Sequence, residues 1–180
     1  MDHTVYATAA ALRDELSAML NHTRAGHPGI AMVHPGDIVP MYGCPLAAVR
    51  VVNITPDTRT LRSGVCGTTL HIATLEMVVD RCYTTPDDNA MPTLGVLDSH
   101  ARDAIDDAAA MRVAAQCFRT GPPSTLLGPW TSRVAGGILR GTLTCTVTID
   151  LGCGCGTLPE AWPVIDDQVP PLPGDPRSSG

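Results

Sequence analysis

Seven cysteines, six histidines and eighteen carboxylates are the groups in this 180-residue chain that are able to do chemistry. A cysteine nucleophile needs a histidine and an orienting group beside it in space, and spacing along the chain does not establish that. Structural zinc usually takes cysteines in Cys-x2–4-Cys pairs. Here Cys153-Gly154-Cys155 is one residue too tight for that pattern, and no second pair follows it. An odd number of cysteines, with no basic segment and apolar stretch at the start of the sequence, argues against a secreted disulfide framework. Cys66, Cys82, Cys117 and Cys145 lie in or beside apolar-periodic segments and read as small core hydrophobes.

The histidines offer one repeated pattern, His-Pro-Gly at 27–29 and again at 34–36, flanking the apolar run from Ile30 to Val33. Beside Asp37 the two histidines would suit a metal, but a histidine ahead of Pro-Gly is first a turn residue. Among the carboxylates, Asp98, Asp103, Asp106 and Asp107 cluster near Arg102 and Arg112. Paired carboxylates serve as acid and base in many enzymes, yet on the polar side of a helix they read as a solvated face. Ala135-Gly136-Gly137 precedes a strand pattern and lacks the Gly-x-x-x-x-Gly-Lys signature, so it reads as a turn and not a phosphate loop.

All twelve basic residues are arginine, which excludes Schiff-base and phosphate-loop lysine chemistry. The formal charge is −6 and the arginines are scattered, whereas a nucleic-acid surface needs a basic patch or stripe. No catalytic residue, cofactor or metal ligand is assigned on these grounds.

The elements that must carry these groups are legible from periodicity. The length suits one domain, and the 44% hydrophobic content suits a packed core filled by aliphatic residues, because aromatics are only 3%. Apolar positions at Ala9, Leu12, Leu16, Met19 and Leu20 predict a helix from Val5, capped by Thr4 and stopped by Gly26. Val49, Val51, Val52 and Ile54 predict a strand over 47–54, closed by Pro56-Asp57. A polar connection at 55–66 leads to a long strand over 67–83. Thr93 then caps a second helix carrying Leu94, Leu97, Ala101, Ala104, Ile105, Ala108, Met111 and Ala115. After Gly136-Gly137, Leu139 to Ile149 alternates apolar residues with threonines, the mark of a half-buried strand.

From Gly152 onward proline and glycine exclude a helix or central strand. Residues 152–180 therefore read as an extended or disordered arm beside a domain at 1–151. The predicted order of helix, strand, strand, helix, strand gives an α+β fold: a small antiparallel or mixed sheet with two helices packed on one face. Sheet edges left open in such a fold invite pairing with another copy.

Three stretches together resemble a known family: Leu75-Glu-Met-Val-Val-Asp-Arg-Cys82; Asp106-Asp-Ala-Ala-Ala-Met-Arg112 leading to Cys117; and Leu127-Gly-Pro-Trp130, followed by Gly136-Gly137 and the threonine-rich strand. In order and spacing they look like the tail terminator or head-to-tail connector proteins of long-tailed, siphovirus-type phages of actinobacteria, over about residues 5–150. The resemblance implies an α+β subunit of the kind found in lambda-like tail terminators, without catalytic residues. It implies a hexameric ring that caps the tail tube, stops its polymerisation and joins it to the head-completion or stopper protein. The expected partners are further copies of the chain, the tail tube protein and the stopper. DNA passes through without specific binding, and no membrane is involved. Assembly would occur in the host cytoplasm and the mature location would be the virion neck. Candidate contact residues are Arg59, Arg62, Trp130, Trp162, Val164 and Ile165. Another neck subunit (an adaptor, stopper or tail-completion protein) and a Cys/His metal-binding protein are the alternatives.

Overall fold

The computed structural model describes residues 5–34, 36–40, 43–57, 70–84, 92–118 and 126–151. Helix α1 spans Val5–Leu20, strand β1 Ala31–His34, β2 Leu46–Pro56 and β3 Leu70–Cys82; helix α2 then spans Leu94–Cys117, β4 Leu126–Ala135 and β5 Ile138–Asp150. The five strands form one sheet in the order β1-β2-β3-β5-β4. β1 runs parallel to β2 and every other pairing is antiparallel, so the sheet is mixed and the fold is α+β.

Period-two alternation decides which side chains meet the helices. On β3, Ala73, Leu75, Met77 and Val79 face α1 and α2; on β5, Leu143, Cys145, Val147 and Ile149 do the same. Ala9, Leu12, Leu16 and Leu20 from α1 close the main core, together with Ala110, Met111, Ala114 and Ala115 from α2. Full burial of one such leucine contributes about 1.5–3 kcal/mol. Both helices therefore cover one face of the sheet, as the periodicity predicts.

The opposite face is only partly covered. The connection from β1 to β2, described at 36–40 and 43–45, lies across it as a strap. Val39 of the strap buries with Leu46, Ala48 and Val78 into a second, smaller core. Most parallel strand pairs are joined by a helical crossover; here this short strap does the joining.

Two strands extend the predicted element order. The Ile30–Val33 run supplies all of β1 but His34, and the Leu127–Trp130 stretch lies at the start of β4, whose register slips between Leu127 and Trp130. β4 and β5 are joined by the two-residue turn Gly136-Gly137, with φ of +57° and +74°. Positive φ at both central positions matches the right-handed twist of a hairpin and favours glycine. Thr93 sits at the N-cap of α2 but makes no side-chain cap bond. The expected cap at Thr4, the connection at 58–66, the first residues of the long strand at 67–69 and the arm at 152–180 lie outside the described residues.

Candidate functional site

The two His-Pro-Gly motifs do the same local job. His27 Nδ1 accepts the backbone N–H of Gly29 at 2.9 Å, and His34 Nδ1 accepts that of Gly36 at 3.0 Å. At the second motif a Cβ on residue 36 would lie 2.8 Å from the His34 ring, so glycine there leaves room for the ring. Among the described residues no three His, Cys, Asp or Glu side chains converge as a metal site would need.

His27 also meets a nucleophile type, its Nε2 lying 2.5 Å from Ser17 Oγ. Because Nδ1 accepts from Gly29, the ring proton resides on Nε2, and the imidazole donates to the serine. A general base must instead accept the serine proton. The pair thus ties the end of the 21–30 connection to α1 and does not activate Ser17.

Three arginines pair with carboxylates around β3. Arg81 points among the helices and grips Asp107 through Nε at 2.9 Å and Nη2 at 2.7 Å, with both side chains nearly inaccessible. The predicted solvated carboxylate face of α2 is corrected at this position. Asp107 is buried, since it shares a helix face with Ala110, Met111 and Ala114 and meets the one arginine of β3 that points inward. On the opposite face Arg140 holds both oxygens of Asp80 at 2.7 and 2.6 Å. Its Nη1 donates to the Val39 carbonyl at 2.5 Å and its Nη2 to that of Pro40 at 3.3 Å, which fastens the strap. Arg50 binds Glu76 through two parallel bonds of 2.9 and 3.0 Å.

The cysteine expectations divide. Cys145 is a buried core thiol, and burial pushes its pKa up to about 11. Cys117 is exposed at the end of α2, contrary to the core reading. Cys82 is not a core thiol either; it forms a disulfide with Cys44, with a Cα–Cα distance of 4.9 Å. The register explains the bond. Leu46 pairs with Asp80, so the residues two beyond each, Cys44 and Cys82, fall opposite one another on the same face. That signal is visible only once β2 and β3 are aligned, which sequence spacing alone does not provide.

Between the strap and β4 lies a groove of about 440 Å³ on the face away from the helices. It is lined by Arg50, Glu76, Arg140 and Thr142 of the central strands, by Ile38 and Val39 of the strap, and by Thr131, Ser132 and Arg133 of β4. A shallower apolar cleft of about 400 Å³ opens where Tyr6 of α1 meets Val51 and Ile54 of β2.

Of the candidate contact residues, Trp130 is described. It is half-buried on β4, packed against the edge of the main core, and its indole Nε1 is buried with no acceptor among the described residues. Arg59, Arg62, Trp162, Val164 and Ile165 lie outside the described residues. The fold and these sites define an α+β protein whose second sheet face is covered, among the described residues, by a short strap. No protein-family model matches the sequence, and no curated protein matches it.

Proposed function

We propose that this protein is a structural subunit of a long-tailed phage virion, a tail terminator. As a homo-oligomeric, hexameric ring it would cap the tail tube, stop its polymerisation and join it to the head-completion protein. The observation that carries the reading beyond the sequence resemblance is the pair of unlike open edges on the sheet. Among the described residues β4 is the last strand on one side, and it is exposed along nearly its whole length, including Leu126 at 71%. On the other side β1 covers only Ala47–Arg50 of β2, and no strand accompanies Val51–Pro56 there among the described residues.

Unpaired strand edges present rows of N–H and C=O groups that template pairing with another chain. Two different edges on one subunit suit heterologous, head-to-tail contacts, which generate rings when the rotation closes. The Cys44–Cys82 bond suits the same reading, because disulfides persist in oxidising settings that include virion surfaces. The acidic, lysine-free composition suits a channel that passes DNA without gripping it.

Native mass spectrometry and electron microscopy of the full chain, alone and mixed with purified tail tubes, test the proposal. The expected result is a closed ring of identical copies seated at one end of the tube, with tube elongation arrested. A strict monomer that neither binds tubes nor alters their length would overturn it.

A further inference from the structure

We propose that the groove between the strap and β4 is a binding site for a carboxylate carried on a short apolar body. The assignment rests on which groups in the groove are already satisfied and which are not, and it does not depend on ring assembly. Both oxygens of Glu76 are occupied by Arg50, and both oxygens of Asp80, behind the groove, are occupied by Arg140. The acidic groups are thus neutralised where they stand. Arg133, on the wall formed by β4, makes no hydrogen bond or ion pair with any described residue and brings an unspent cation with a five-donor fork.

Two more donors converge on the same space. Arg50 uses Nε and Nη2 for Glu76, and its Nη1 has no partner among the described residues. Thr131 and Thr142 share one hydrogen bond of 2.7 Å between their hydroxyls, and whichever donates, the other keeps a free O–H. The lining, which also includes Ser132 and Arg140, therefore presents several free donors; with Arg50 balanced by Glu76 and Arg140 by Asp80 behind it, the groove carries one net positive charge in a chain whose total is −6. One positive charge matches a monoanion, and a planar arginine fork matches a carboxylate. Ile38, 69% exposed, lines the same groove from the strap, over the buried Val39. It provides apolar surface for the body that carries the acid.

The test is an NMR titration of the full chain with isovalerate, followed at the backbone amides of Thr131, Arg133 and Thr142. Isovaleramide serves as the uncharged counterpart and inorganic phosphate as the alternative anion. The expected result is saturable binding of isovalerate, no saturable response to isovaleramide, weaker binding of phosphate, and affinity lowered at least fivefold in Arg133→Ala. Arg133→Lys should fall between Arg133→Ala and the wild type. Arg133 is exposed and unpaired, so an unchanged melting temperature in both variants is expected. A capped tetrapeptide with one glutamate among valines separates the sources. Tighter binding than isovalerate assigns the site to a protein side chain, and looser binding assigns it to a small carboxylic acid. Equal responses to acid and amide, tighter binding of phosphate, or full affinity in Arg133→Ala would overturn the proposal.

Discussion

The two faces of the sheet solve the same problem with different materials. Beneath the helices the inward side chains of β3 and β5 are aliphatic, and one arginine, Arg81, enters that core only because Asp107 meets it there. On the other face the strands carry threonines and ion pairs, and the small apolar patch at Leu46, Ala48 and Val78 is closed by a strap. The strap is held by three devices: Val39 in the patch, Arg140 on two of its carbonyls, and the bond from Cys44 to Cys82. Where two helices supply packing area, aliphatic burial does most of the fixing, with one buried ion pair among it. Where only a short strap is available, directional bonds and a covalent link take over.

The sharpest way to break this comparison is to remove one acid from each buried pair. Asp107→Ala and Asp80→Ala should each cost about 3–5 kcal/mol, because each leaves a buried guanidinium without its partner. Urea unfolding measures both. Replacing each whole pair by apolar residues should separate the faces. Arg81→Met with Asp107→Leu is expected to stay within about 1 kcal/mol of wild type, as buried pairs often do when exchanged for well-packed hydrophobes. Arg81 reaches one carbonyl, that of Ala25, at 3.5 Å, whereas Arg140→Met with Asp80→Leu removes the donors to two, Val39 at 2.5 Å and Pro40 at 3.3 Å, each worth about 1–3 kcal/mol when left unsatisfied. The latter should therefore be the less stable double variant, and equal stabilities would erase the distinction between the faces.

Next in size is the covalent link. Cys44→Ser with Cys82→Ser opens a bond spanning 38 positions in sequence and should cost about 2–4 kcal/mol. Hydrogen exchange should quicken first at Val39, Leu46 and Ala48, while amides of α1 and of Leu143–Ile149 keep their protection until global unfolding. Uniform loss of protection would show that the strap is not an independently opening unit.

How much of this was readable beforehand follows from the same contrast. α1 and β5 were legible because long runs of uniform period leave little ambiguity, and the helix-covered face followed from them. β1 is four half-buried residues between two turns, too short to carry a period. In β4 the Gly128-Pro129 irregularity breaks the alternation. The acid at Asp107 had a usable sign, since it lies one turn from Met111 on the face that buries Ala110 and Ala114, and Arg81 shares the inward parity of Met77 and Val79. The strap-side devices had none. Arg140 with Asp80, Cys44 with Cys82, and the groove residues become neighbours only through strand order and register, which a single sequence does not state.

A smaller effect distinguishes the inner face by pH. The Cys145 thiol has its pKa raised by burial to about 11, against an ordinary value of 9.0. The unfolded chain loses this proton first, so between about pH 9 and 11 it binds fewer protons than the folded chain, and stability falls as pH rises. The contribution is complete below pH 9 and should decline by on the order of 2 kcal/mol across the window. Cys145→Ala should show a shallower alkaline slope than wild type. Site-resolved alkylation should modify exposed Cys117 long before Cys145. Parallel slopes or equal labelling rates would contradict the buried assignment.

The smallest expected change concerns Trp130, at the margin where the helix-covered face reaches the open edge. Its indole Nε1 is buried with no acceptor among the described residues, and an orphaned buried donor normally costs about 1–3 kcal/mol. The indole lies over Gly141, where a Cβ would stand 3.1 Å from Nε1. Glycine at that position makes room for the ring. Trp130→Phe gives up some packing area but also removes the orphan donor, so the two terms nearly cancel, and its stability should lie within about 1 kcal/mol of wild type. Gly141→Ala should destabilise the Trp130 protein by about 1 kcal/mol or more through overpacking, and much less in the Trp130→Phe background. A double-mutant cycle with a coupling energy above about 0.5 kcal/mol would tie the two positions together. Additive effects would mean that the ring does not depend on the missing side chain, and that the outermost strand is held by its hydrogen bonds to β5 and not by packing on the inner face.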